Sequence, residues 1–238
     1  MRIAFLIDPP ESFKIYKDST FAMMREAAGR GHELYVFQQH ALAWRAGKVC
    51  AAVQRLLTEN PRMKGLILDL RGNPGGQLDQ AIAVANEFLP KGSMIVYTRG
   101  RVANSDSDYR AEDQGEFLNV PMVTLVNRNS ASASEIVSGS LQDYDRSLLV
   151  GETTFGKALV QSVYPIANGA GLALTTAHYY TPSGRLIQRP WDGTFDEYLT
   201  YTLKDQKERE KSADQLKYTT GGRKVFSGGG IEPDLRYD

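Results

Sequence analysis

The chain holds a single cysteine, Cys50, in 238 residues, which excludes an internal disulfide framework and a multi-thiolate metal site. Histidine is nearly as scarce: His32, His40 and His178 lie far apart and leave little from which to build a zinc site. Charge is present without a sign, Lys+Arg and Asp+Glu both numbering 28, so the chain lacks the broad positive field of a nucleic-acid binder and nucleic acid is not an expected partner. No apolar run approaches the ~18–20 residues that cross a bilayer, so no integral membrane segment is expected. The start, MRIAFLIDPPESFK, has one early arginine and a short apolar stretch before acid and proline, which is not the pattern of a signal peptide. What remains, 42% hydrophobic and 24% charged residues, is the make-up of a folded chain with a real core.

Short apolar runs alternate with helical patterns, and that alternation points to an α/β fold, a mixed sheet flanked by helices. Residues 2–8 (RIAFLID) read as a strand stopped by Pro9-Pro10. Asp18-Ser19 can cap a helix that Gly29 and Gly31 close, and 33–37 (ELYVF) reads as a second strand, giving an N-terminal β-α-β unit. A helix is expected over 43–59, and 64–70 (KGLILDL) is a continuous apolar strand of the kind buried on both faces of a sheet. That strand runs into RGNPGG, then into an amphipathic helix over 78–89. Further strands are expected at 94–97, 122–126, 147–150, 158–166 and 172–178, with a helix at 133–141. Residues 104–118 read as a polar surface loop, and 202–216 as a solvated, charged helix. Gly228–Gly230 precede Ile231-Glu-Pro-Asp234 as a turn into a final strand.

Chemistry concentrates in two segments. In 128–141 (RNSASASEIVSGSL) a strand ends, a turn of small residues follows and a helix begins. A serine there is held on a short loop, with helix N-terminal amides facing any developing negative charge; helix capping explains the same serines without catalysis. A nucleophilic serine needs a base, and the histidines are poorly placed to be one. Lys157, between Phe155 and Ala158-Leu159-Val160, is the other candidate, expected to be partly desolvated; a surface lysine is the plainer alternative. Gly151–Lys157 also fits most of a phosphate-binding loop, but Ala158 stands where Ser or Thr would ligate magnesium, and a strand pattern follows where that loop needs a helix.

Five blocks in order, at 64–81, 123–146, 150–166, 172–188 and 228–234, resemble the C-terminal processing (tail-specific) serine peptidases. The resemblance covers residues 50–238 and implies a Ser–Lys dyad. Its serine is Ser132, in the middle of the SASAS run between Ser130 and Ser134, and its lysine is Lys157, 25 positions on. It also implies Gln161 as a partner of the lysine, sharing its face of a strand. The oxyanion hole would come from the backbone amides of Ala133 and Gly76, with Gly75 the second choice. Substrates would be proteins or peptides with unstructured, rather apolar C-terminal tails, and neither cofactor nor metal is called for. Members usually carry a PDZ domain ahead of the catalytic core and are exported to the periplasm or beyond; no segment here has the length of a PDZ domain, and no export signal is visible.

Residues 1–49 differ in character. IDP, KDSTFAM and GHELYVF resemble the opening β-α-β unit of bacterial glutathione synthetase, with no ATP-grasp portion after it. A join near 49–53 suggests a chimera of two folds. Three outcomes are therefore carried forward: a serine–lysine endopeptidase, an inactive chimeric scaffold or binding protein, and a residual nucleotide- or glutathione-binding module in 1–49.

Overall fold

The computed structural model describes residues 2–7, 19–31, 33–38, 63–101, 103, 105–166, 170–190, 194 and 211–237. In chain order its elements are β1 (Arg2–Ile7), α1 (Ser19–Gly29), β2 (Glu33–Gln38), β3 (Met63–Asp69), α2 (Leu78–Asn86), β4 (Met94–Gly100), β5 (Ser107–Arg110), β6 (Met122–Val126), α3 (Ala133–Asp143), β7 (Leu148–Gly151), β8 (Leu159–Pro165) and β9 (Gly171–Tyr180). A single 3-10 turn (Ala213–Gln215) then leads to β10 (Leu216–Tyr218), β11 (Lys224–Phe226) and β12 (Leu235–Arg236).

Parallel and antiparallel pairing separate into different sheets. The larger is wholly parallel, in the order β12-β7-β6-β3-β1-β2. The second is antiparallel, in the order β5-β4-β9-β8, and β10 and β11 form a small hairpin. The apolar strand β3 sits inside the parallel sheet, between β1 and β6, as its sequence demands: a strand covered on both faces has no polar side to alternate with. The N-terminal β-α-β unit forms as expected and adds β1 and β2 to one side of that sheet.

Helix α3 is buried from Ser134 to Asp143, which explains its run of small residues. A Cβ on Gly139 would stand 3.0 Å from both Ile231 Cδ1 and Thr181 Cγ2, so the helix lies against the C-terminal segment with no room for a larger side chain. Leu89, Ile95, Leu141, Leu149, Ile187 and Ile231 fill the core around it. By contrast, the outer part of the β8–β9 hairpin exposes Val163, Tyr164, Leu172 and Leu174.

The loop expected over 104–118 contains β5, and both Ala111 and Phe117 are buried. The polar pattern misleads because β5 lies on the edge of its sheet, where alternate side chains face water. The described end of the 202–216 segment is the 3-10 turn and the start of β10 rather than the end of a helix; the rest of that segment, and the helix expected over 43–59, lie outside the described residues.

The TPSGR turn after β9 supplies a buried ion pair. Arg185 Nη2 stands 2.5 Å from Asp143 Oδ1, each side chain about 1% exposed, and Arg185 Nη1 donates to Gln142 Oε1 at 3.0 Å. Removing one member of such a pair strands the other charge away from water. Arg185→Leu is expected to cost about 3–5 kcal/mol, read as a lower urea midpoint; a midpoint like that of the wild type would show the pair to be dispensable.

Candidate active site

Strands β3, β6 and β7 are adjacent and parallel, so their C-terminal ends open at one edge of the sheet. From those ends emerge the RGNPGG turn with Gly75 and Gly76, the serine turn with Ser132, and the 152–158 loop with Lys157. Three segments far apart in sequence thereby meet at one place.

The first two are cross-bonded. Ser130 Oγ donates to Leu70 O (2.7 Å) and Ser134 Oγ to Asn73 O (3.1 Å), while Ala131 N donates to the same Asn73 O (3.0 Å). The two serines flanking Ser132 are thus committed to holding the glycine turn. Ser132 itself precedes α3 at φ 54°, ψ −115°, a backbone conformation that costs a non-glycine residue about 1–3 kcal/mol. Gly75, at φ 98°, packs directly under it: a Cβ there would lie 2.6 Å from Ala131 O, 2.8 Å from Ala133 N and 2.8 Å from Ser132 Cβ. The Gly75 amide is taken by Asn73 Oδ1 at 2.9 Å. Gly76 has open space around its Cα. Gly75→Ala is therefore expected to lower Tm by several degrees while Gly76→Ala melts like the wild type; equal melting of the two would contradict the packing.

The third segment is joined to the second by a residue that the sequence reading missed. Glu135, in the first turn of α3, has no exposed surface. Its Oε2 accepts from Ser132 N (2.8 Å) and Lys157 N (2.9 Å), and its Oε1 accepts from Thr154 Oγ1 (2.5 Å) and Gly156 N (2.7 Å). One carboxylate oxygen is shared by the main chains of the two sequence-derived dyad residues. The signal lay in the spacing Ser132-x-x-Glu135, that of a capping box, in which a glutamate returns to the amide at the helix start. Tyr179 on β9 directs its hydroxyl at Ser132 O (3.1 Å) and, in a short bond, at Lys157 O. The final block closes the loop from behind: Ile231 N donates to Thr154 Oγ1 (2.7 Å), and a Cβ on Gly230 would lie 2.4 Å from Thr154 O.

Two expectations need correction. The Lys157 side chain is exposed rather than partly desolvated. Along an extended chain alternate residues face opposite ways, and it is Ala158 that turns inward, fully buried. Gln161 is also exposed and makes no hydrogen bond to Lys157 among the described residues. The β8–β9 register shifts between Val160 and Gln161, where β9 carries the extra residue, Thr176. As the sequence indicates, β8 rather than a helix follows Lys157, which leaves the phosphate-loop pattern without its structural context.

Burial pushes the Glu135 carboxyl up to about 7, against the four hydrogen bonds that favour its ionised form. Its pKa is thus raised from about 4.5 on folding, so stability from this site is complete below pH 4.5 and falls as pH rises through 7. Relative to Glu135→Gln, the wild type is expected to lose about 3 kcal/mol between pH 4.5 and 8 in urea unfolding; a pH-independent difference would show that the carboxyl is already ionised at acid pH.

The edge of the parallel sheet thus brings together a serine in a strained turn, a glycine turn beneath it and a lysine loop joined to it through Glu135. Residues 34–194, more than half of the chain, match the model of peptidase family S41, and the chain belongs to that family. It is 48% identical over 140 residues to a carboxy-terminal-processing protease of Bartonella bacilliformis, covering 58% of this chain and 32% of that protein. It is 50% identical over 125 residues to a carboxyl-terminal-processing protease of Synechocystis sp., covering 52% and 29%. Among solved structures, the photosystem II D1 C-terminal processing protease superposes with a TM-score of 0.56 at 30% identity, covering 79% of this chain and 39% of that one. The chain spans about a third of the length of these curated relatives. The family match begins inside β2 and runs across the join expected near 49–53, which gives a chimera no support. These similarities do not show a likeness of residues 2–49 to glutathione synthetase.

Proposed function

We propose that the chain is the catalytic part of a serine peptidase that cleaves proteins with unstructured, apolar C-terminal tails, using Ser132 as nucleophile and Lys157 as base. The observation that carries the reading is the single Glu135 oxygen flanked by the Ser132 and Lys157 amides, which brings together two main chains 25 positions apart in sequence. Membership of peptidase family S41 and the names of the relatives support the reaction class.

In the proposed reaction the neutral amine of Lys157 takes the hydroxyl proton of Ser132 as Oγ attacks the peptide carbonyl carbon. The amine reaches the hydroxyl by rotation of the lysine side chain, whose main chain is held. Negative charge on the carbonyl oxygen is received by the amides of Gly76 and Ala133. The C–N bond then breaks, the proton passes from Lys157 to the departing amine, and water hydrolyses the resulting ester by the same route.

The test is cleavage of an unfolded model protein by the wild type, Ser132→Ala and Lys157→Ala from pH 6 to 10. Wild-type cleavage that rises toward alkaline pH, with at least a thousandfold loss in each variant, is the expected result. Cleavage that survives either substitution rules out the dyad.

A further inference from the structure

We infer that Tyr179 is a positioning residue for the Ser132–Lys157 pair, its hydroxyl tying the carbonyl oxygens of both residues together opposite the Glu135 carboxylate that ties their amides. The inference rests on the serine–lysine reading and adds to it the residue that holds the pair from the antiparallel sheet.

The geometry is a closed clamp. Glu135 accepts from Ser132 N and Lys157 N at 2.8 and 2.9 Å, and Tyr179 Oη bonds to Ser132 O at 3.1 Å and to Lys157 O. Both polar groups of each residue's peptide backbone are thereby engaged by these two side chains. Ser132 O also accepts the Glu135 and Ile136 amides, so its carbonyl is anchored to the helix start while Tyr179 links it to the lysine loop. A buried tyrosine needs only one acceptor to be satisfied; this one meets two, from two different loops, with one proton between them. The hydroxyl keeps that proton, because burial, and secondarily the Glu135 charge, raise its pKa well above 10.

Tyr179 has a main-chain tether of its own that is independent of the hydroxyl. Its amide donates to Ala158 O at 3.1 Å, next to Lys157, and its strand pairs with β4 through Thr98. The ring is only 3% exposed and lies in the core. Loss of the single oxygen in Tyr179→Phe therefore leaves the ring packing and the strand in place and removes only the link between the two carbonyls. The consequence expected is a pair less well aligned for attack, with substrate binding unchanged. Misplacement by ~1 Å at a reacting centre is worth about a hundredfold in rate.

The experiment compares the full chain as wild type, Tyr179→Phe, Ser132→Ala and Ile187→Val. The last loosens the same core at another fully buried residue, one that bonds to neither Ser132 O nor Lys157 O. Hydrolysis of an unfolded protein gives kcat and KM separately, a fluorophosphonate probe gives the rate of serine labelling, and Tm is read for each variant. Tyr179→Phe is expected to lose about ten- to a hundredfold in kcat and in labelling rate, with KM within twofold and Tm within a few degrees of wild type. Ile187→Val is expected to keep the wild-type kcat. The proposal is overturned if Tyr179→Phe keeps kcat within twofold, if it does not fold, or if Ile187→Val at a similar Tm loses as much activity. Labelling that persists in Ser132→Ala would instead refute the serine assignment itself, whatever Tyr179 does.

Discussion

Everything at the site depends on the parallel pairing of β3, β6 and β7 as neighbours. Parallel strands release their chains at the same edge, so the glycine turn, the serine turn and the lysine loop are delivered to one place although they are separated by dozens of residues. A slip of one strand by a single residue would exchange the two faces of β3 and carry the glycine turn away from Ser132. The serines on either side of Ser132 secure that register with side-chain bonds to Leu70 and Asn73.

A buried carboxylate then does what sheet geometry cannot. Removing a charge from water is unfavourable by several kcal/mol, and Glu135 offsets this only by filling both oxygens with donors. Those donors come from the start of α3 and from the loop between β7 and β8, so the hydrogen bonds that stabilise the charge also join the loops. The strained backbone of Ser132 survives in this setting because Gly75 beneath it, Glu135 beside it and α3 behind it leave no relaxed alternative.

The elements of the fold were largely legible. Continuous apolar runs bounded by Gly, Pro and polar turns place β3, β6 and β7 within a residue or so, and the small-residue turn marks the start of α3. Edge strand β5 was not, because an exposed edge strand and a polar loop share a composition. Glu135 was partly legible as the fourth member of a capping box, but a capping box is usually a local device on the surface, and nothing local says that this one is buried and shared with Lys157. Tyr179 carried no local sign at all.

The sequence by itself determined the fold class, the order of the blocks and the residues that belong to family S41, because periodicity, turn chemistry and motif order are properties of contiguous chain. The tertiary structure alone decided which way Lys157 and Gln161 face, which glycine packs under Ser132, and which side chains bind the serine and lysine loops together. Those outcomes depend on strand register and on bonds between residues distant in sequence, and no local pattern encodes the distance between two loops.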